Sequence, residues 1–163
     1  NVTVRPELCL DFYEVDAFGS SPPGSANSGS VSMYNFQGVD NTVSLVQNAM
    51  IGQTAACWIK YNSGCAFTTN NGSSSISSLS VSNGNITLID SVAASLNNPI
   101  DEIFSPDGQY LYALSTGHTS DGQPQIYVYD VINDCGLREI QVISDGLPNE
   151  SVTSFGAVGL AVF

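Results

Sequence analysis

The sequence predicts an all-β fold built from repeated four-stranded sheets. Short runs rich in β-branched and aromatic residues alternate with turn clusters such as Asn62-Ser63-Gly64, and no stretch has the apolar period of about 3.6 residues that marks an amphipathic helix. The runs also recur, because Val31, Ile76 and Ile126 begin similar segments at intervals of roughly 40–50 residues. A repeat of that length with four strands in each unit is typical of a β-propeller.

Three units and one further strand account for the chain. We place the first blade at residues 1–49, the second at 50–96, the third at 97–145 and a terminal strand at 156–163. The strands predicted from the β-rich runs are, in order, Leu8–Val15, Ser30–Phe36, Thr42–Val46, Ala55–Lys60, Cys65–Thr69, Ser75–Val81, Ile86–Val92, Ile100–Ser105, Tyr110–Ser115, Gln125–Val131, Leu137–Ile143 and Gly156–Phe163.

The charge balance excludes several classes of partner. Fifteen Asp and Glu residues against three Lys and Arg give a formal net charge of −12, which repels nucleic-acid phosphates and anionic membrane surfaces. No apolar run approaches the roughly 18 residues of a membrane-spanning helix. We therefore expect no nucleic-acid partner and no membrane span.

The polar surface and the glycosylation motifs favour an extracellular protein. Charged residues make up 11% of the chain, against about 25% in typical soluble domains. The acceptor pattern N-x-[ST] occurs at Asn1, Asn71, Asn85 and Asn149, so we expect N-glycans. No signal peptide is present, and a secreted protein would be represented here by its mature form or a processed piece. A cytosolic β protein with an unusual surface is the alternative.

Four cysteines form an even set that allows three disulfide connectivities. Cys57 and Cys65 would lie opposite each other in a hairpin centred on Tyr61, within reach of a disulfide. We therefore favour Cys57–Cys65, which leaves Cys9–Cys135 as the second pair, and free buried thiols are the alternative. A single His and the absence of C-x-x-C argue against zinc, and we expect no cofactor.

Several segments resemble the lactonase-like propellers, a group that includes 6-phosphogluconolactonase-like and carboxymuconate-cyclase-like proteins. The resemblance runs colinearly over about residues 30–163 and is carried by Gly52–Trp58, Ala66–Ser73, Gly84–Asp90, Pro99–Asp101, Ser105–Tyr112 and Gly156–Ala161. It implies a seven-bladed disc about twice the length of this chain. Three blades and a strand do not close such a ring, so we expect another chain or further copies to complete it, with the terminal strand paired to a different chain.

The resemblance also directs attention to the central channel, where related propellers use His, Arg and Glu side chains. The candidate catalytic residues here are Asp101 and Glu102, which enter a predicted innermost strand, and Glu14, at the end of a second strand. Each has a structural alternative: Asp101 would hold backbone N–H groups between blades, and Glu14 would cap a loop. No Ser/His/Asp arrangement, phosphate loop or calcium loop is present.

Three functions are compatible with these observations. The first is a secreted, glycosylated lactonase-like propeller segment that acts as a binding or assembly module. The second is a lactone hydrolase or muconate-lactonizing enzyme whose site lies in the central channel. The third is a structural filament subunit in which open edges pair head to tail.

Overall fold

Twelve strands form three antiparallel four-stranded sheets in the computed structural model, which describes residues 2–4, 11–17, 26–37, 42–116, 123–148 and 159–162. The first sheet contains β1 (Val2–Val4), β2 (Asp11–Asp16), β3 (Ser30–Gln37) and β4 (Thr42–Met50). The second contains β5 (Ala56–Asn62), β6 (Cys65–Asn70), β7 (Ser75–Ser82) and β8 (Asn85–Ser95). The third contains β9 (Pro99–Phe104), β10 (Tyr110–Ser115), β11 (Gln125–Ile132) and β12 (Gly136–Ile143).

Each sheet is a simple meander in which neighbouring strands follow one another along the chain. This is the construction of a propeller blade, and it confirms the predicted fold class. The first blade contains an element that the sequence pattern missed, because β1 is only three residues long and pairs with β2 through Val2–Val4. A strand that short carries too few residues to show a period of two.

The blades stack face to face in chain order. One core, between the first and second blades, includes Tyr13, Val31 and Met33 on one side and Ile59 and Leu79 on the other. A second core lies between the second and third blades and includes Phe67, Ile76, Leu111 and Tyr129. Each sheet is therefore held by its neighbours, since a single four-stranded sheet has no interior of its own.

The three blades share one register, which allows residues to be compared between them. The last residue of each second strand pairs with the first residue of the third strand: Asp16 with Ser30, Asn70 with Ser75, and Ser115 with Gln125. In each third strand, the residue after this first one is a repeated position of the sequence, namely Val31, Ile76 or Ile126. The periodicity in the sequence thus corresponds to a structural repeat.

The expected Cys57–Cys65 disulfide is wrong, because Cys65 is bonded to Cys135. The β5–β6 hairpin turns at Ser63-Gly64, both at positive φ, so Cys65 lies opposite Asn62 and not opposite Cys57. Cys57 occupies a register irregularity of β5 and is a free thiol. The expected Cys9–Cys135 bond is excluded by the same pairing, and Cys9 itself lies outside the described residues.

The terminal segment is described only at residues 159–162, which are not part of a strand. The remainder of the predicted strand at 156–163 lies outside the described residues. In the described part of the chain, no helix is long and apolar enough to cross a membrane.

Candidate functional site at the innermost strands

Two of the three candidate carboxylates lie on β9, the edge strand of the third blade that packs against β5 of the second. Asp101 and Glu102 are consecutive, so their side chains point to opposite faces of the sheet. Glu102 shares a face with Phe104. The ring centroid of Phe104 lies 5.9 Å from that of Phe67 in the second blade. Glu102 therefore faces the interface between the second and third blades, and Asp101 faces away from it.

Glu102 is a fully buried acid. Its exposure is 0%, and among the described residues no donor makes a well-formed hydrogen bond to either carboxyl oxygen, although the backbone N–H of Lys60 is near enough to lower the pKa of Glu102. It pairs across the ladder with Ala113, two residues before the end of β10. The position that matches it in the second blade is Ile59, which pairs with Thr68, two residues before the end of β6. An acid thus stands at a position where the neighbouring blade has a buried apolar side chain.

Burial raises the pKa of Glu102 well above its usual range, because desolvation penalises the charged form. The negative charge of Asp101 raises the pKa of Glu102 further, whereas the Lys60 ammonium and backbone N–H lower it. Together these effects raise the pKa of Glu102, so its carboxyl group keeps its proton at pH values where an exposed glutamate is ionised. A protonated acid in this interface can donate a hydrogen bond, but with no surface exposure it does not meet a ligand directly.

Asp101 holds backbone groups on both of its oxygens. Oδ1 accepts a hydrogen bond from the Glu102 N–H at 2.8 Å, and Oδ2 accepts one from the Leu160 N–H at 2.8 Å. The second bond joins β9 to a segment that follows the last described strand by more than a dozen residues. Asp101 therefore binds backbone N–H groups, one in its own strand and one in the segment at Leu160, and the residue is 8% exposed. Neither of these two bonds joins neighbouring blades.

Glu14 lies on β2 and belongs to a polar cluster on the face of the first blade that points away from the second. Its Oε2 accepts a hydrogen bond from the Tyr34 hydroxyl at 3.0 Å, which raises the pKa of Tyr34 above its ordinary value. On the same face, Asp16 Oδ2 accepts hydrogen bonds from the hydroxyls of Ser30 and Ser32, at 3.0 and 2.8 Å. No hydrogen bond or ion pair in the described residues joins Glu14 to the β9 carboxylates.

The first-blade cluster has a neutral counterpart in the second blade. Asn70 occupies the position of Asp16, and its Nδ2 donates hydrogen bonds to the hydroxyls of Ser75 and Ser77, at 3.1 and 2.8 Å. Asn70 is 0% exposed, because the first blade covers this face. Comparing the blades identifies the cluster; the sequence pattern alone missed it because Asp, Asn and Ser also occur throughout the loops.

The glycosylation motifs differ in accessibility. Asn85 is exposed at the start of β8, next to the Asn83-Gly84 turn. Asn71 is half-buried, and its Nδ2 donates a hydrogen bond to the Pro99 carbonyl at 3.4 Å. Asn1 and Asn149 lie outside the described residues. Within the described ranges, no group of three or more His, Cys, Asp or Glu side chains is arranged to hold a metal ion.

The fold is similar to several solved structures. A protein of unknown function from Desulfotomaculum acetoxidans aligns with a TM-score of 0.69 and 22% identity over 90% of this chain and 42% of its own. A candidate 6-phosphogluconolactonase from Bacteroides uniformis aligns with a TM-score of 0.62 and 16% identity over 90% of this chain and 44% of its own. The periplasmic gluconolactonase of Pseudomonas aeruginosa aligns with a TM-score of 0.58 and 14% identity over 88% of this chain and 56% of its own.

At these identities the similarity shows a propeller fold shared with lactonase-like proteins. This chain spans less than half the length of the first two proteins. No family model and no curated protein matches the sequence.

Proposed function

We propose that this chain is a lactonase-like propeller segment that acts as a binding and assembly module, in a ring that further blades complete. Another chain or further copies of this one supply those blades, and sequence continuous with this chain would serve the same role. The observation that carries the proposal is the outward face of the first blade, which has the construction of an interface between blades.

This outward face exposes apolar side chains in a row. Leu45 and Val43 on β4 are 57% and 53% exposed, and they pair with Tyr34 and Phe36 on β3. Contiguous apolar surface of this kind is typical of a contact site. The matching face of the second blade, which includes Ile59 and Leu79, is buried under the first blade. A further blade on the first one would bury the outward face in the same way.

The disulfide supports a location outside the cytoplasm. Cys65–Cys135 joins the second blade to the third, and such bonds persist in oxidising compartments. One structural neighbour is a periplasmic protein. Together with the exposed Asn85 motif, this supports a secreted and glycosylated protein.

The assembly proposal is tested by native mass spectrometry of the protein isolated from its source. We expect the chain to occur in a particle, or within a polypeptide, larger than its own 17.1 kDa. Hydrogen exchange of that particle should show protection of β4 relative to the isolated chain. A stable, monodisperse 17.1 kDa monomer in native material would contradict the proposal.

A lactone hydrolase or lactonizing enzyme is the second candidate, favoured by the two carboxylates on the innermost strand. A buried Glu102 that retains its proton resembles the environment in which enzymes keep an acid neutral, although its burial limits it to an indirect role. The test is turnover of a sugar lactone and of a muconate by the completed ring. Loss of turnover in Asp101→Ala or Glu14→Ala, with folding intact, would support it, and unchanged turnover in both would remove these residues from the site.

A further inference from the structure

The outward face of the first blade differs from its counterpart in charge. Where the second blade has Asn70 and Thr68, both fully buried and neutral, the first blade has Asp16 and Glu14 at the same register positions. A blade that covers this face therefore covers two carboxylates, whereas the first blade covers an amide and a hydroxyl.

Burying these carboxylates against an apolar surface carries a heavy desolvation cost. The hydroxyls of Ser30, Ser32 and Tyr34 satisfy part of their hydrogen-bonding capacity but bring no positive charge. An Arg or Lys in the covering surface would supply both charge and further donors. We propose that the outward face of the first blade binds a blade of different sequence that presents basic side chains to Asp16 and Glu14 and apolar side chains to Val43 and Leu45. This inference rests on the assembly function proposed above.

In the part of the chain that the structure describes, the surface that a second copy would offer does not meet that requirement. A copy would continue the stack through the outward face of its third blade, which carries Asp101 and Asp130. Of the cations in the described residues, Lys60 lies between the second and third blades near Glu102. Arg138 forms an ion pair with Asp130 on that outward face. Contact between copies would thus set Asp16 and Glu14 against a face whose described basic side chain, Arg138, is already paired with Asp130, in a chain whose formal net charge is −12.

The first test uses native assemblies and zero-length carbodiimide cross-linking, which joins carboxylates to lysines. We expect Asp16 or Glu14 to be linked to a lysine in sequence that this chain does not contain, and we expect the assembly to dissociate in high salt. An assembly made only of copies of this chain would overturn the inference but leave the assembly proposal intact. A 17.1 kDa monomer would remove both.

The second test measures the chemistry of the face directly, with a hexa-arginine peptide titrated into the isolated chain and followed by NMR. We expect shift changes at Glu14, Asp16 and Leu45, and binding about tenfold weaker in Glu14→Gln/Asp16→Asn. The matched control is Glu139→Gln/Asp145→Asn, which removes two exposed carboxylates elsewhere. Equal weakening in both double variants, or shift changes spread evenly over the acidic surface, would overturn the inference.

Discussion

Glu102 in the third blade occupies the register position that Ile59 occupies in the second. Both side chains are fully buried between blades, but only one of them is ionisable. The difference places an acid with unsatisfied oxygens inside an interface that the neighbouring pair of blades fills with hydrocarbon. The stability of the interface between the second and third blades should therefore depend on the protonation of one residue.

Glu102→Ile should stabilise the protein at neutral pH by about 1–3 kcal/mol, because it removes a buried carboxyl group whose hydrogen bonds to water are not replaced in the folded protein. The pKa of Glu102 is raised in the folded state. The contribution of protonated Glu102 to the free energy of unfolding is therefore fully present at pH values below its ordinary pKa near 4.5. The contribution is lost as the pH rises through the raised folded value. The measurement is the free energy of unfolding in urea, at a series of pH values that starts below 4.5 and extends to neutral pH.

The wild type should lose stability relative to Glu102→Ile as the pH rises, and Glu102→Gln should remove most of this pH dependence. The control is Glu139→Gln on the exposed surface of β12, which should follow the wild type. Parallel curves for the wild type and Glu102→Gln would show that folding does not raise the pKa of Glu102.

Periodicity is the part of the sequence that predicted the fold well. Val31 and Ile76 mark the same strand in successive blades because burial between blades demands apolar residues there. Ile126 repeats the pattern in the third blade, on the face that points away from the second. The disulfide was predicted wrongly because its reasoning assumed a hairpin centred on Tyr61. One irregularity at Cys57 and a two-residue turn at Ser63-Gly64 change every cross-strand pair, and neither is visible in a hydrophobic pattern.

The site was predicted only in part, for a related reason. The placement of Asp101 and Glu102 on an innermost strand follows from strand order. The face that each side chain occupies depends on the register between β9 and β10. This register directs Asp101 away from the second blade, on the side where it accepts a hydrogen bond from the Leu160 N–H. The proximity of Lys60 to Glu102 arises from packing between blades, which sequence spacing does not encode.

Removing the inter-blade disulfide should destabilise the chain strongly. Cys65→Ser/Cys135→Ser opens a covalent loop with a sequence separation of 70 residues, and the chain-entropy model gives a loss of about 4 kcal/mol for a loop of that size. Urea unfolding compares this variant with Cys57→Ser, which should change stability by less than about 1 kcal/mol. Peptide mapping of the wild type should recover a Cys65–Cys135 cross-linked peptide, and a Cys57–Cys65 peptide would refute the pairing.

Gln47 should stabilise the contact between β4 of the first blade and β8 of the second. Its Nε2 donates a hydrogen bond to the Ile86 carbonyl at 2.7 Å, and its Oε1 accepts one from the Ile86 N–H at 2.9 Å. Gln47→Ala should therefore cost about 1–3 kcal/mol, since both groups of Ile86 lose their partner. Hydrogen exchange at the Ile86 amide should accelerate in this variant and remain unchanged in Gln141→Ala, an exposed glutamine of β12. Unchanged exchange at Ile86 would show that the contact is not maintained in solution.

Asn85 should carry an N-glycan, and Asn71 should be occupied less or not at all. Asn85 is exposed beside a hairpin turn, where an attached sugar meets solvent. Asn71 donates a hydrogen bond to Pro99, and a Cβ on the adjacent Gly72 would lie 2.9 Å from a Thr54 methyl, so a glycan there would compete with packing. Intact-mass analysis after secretion from a eukaryotic host should show the loss of one glycan in Asn85→Gln and no change in Asn71→Gln. Full occupancy at Asn71 would mean that the transferase acts before this interface between blades forms.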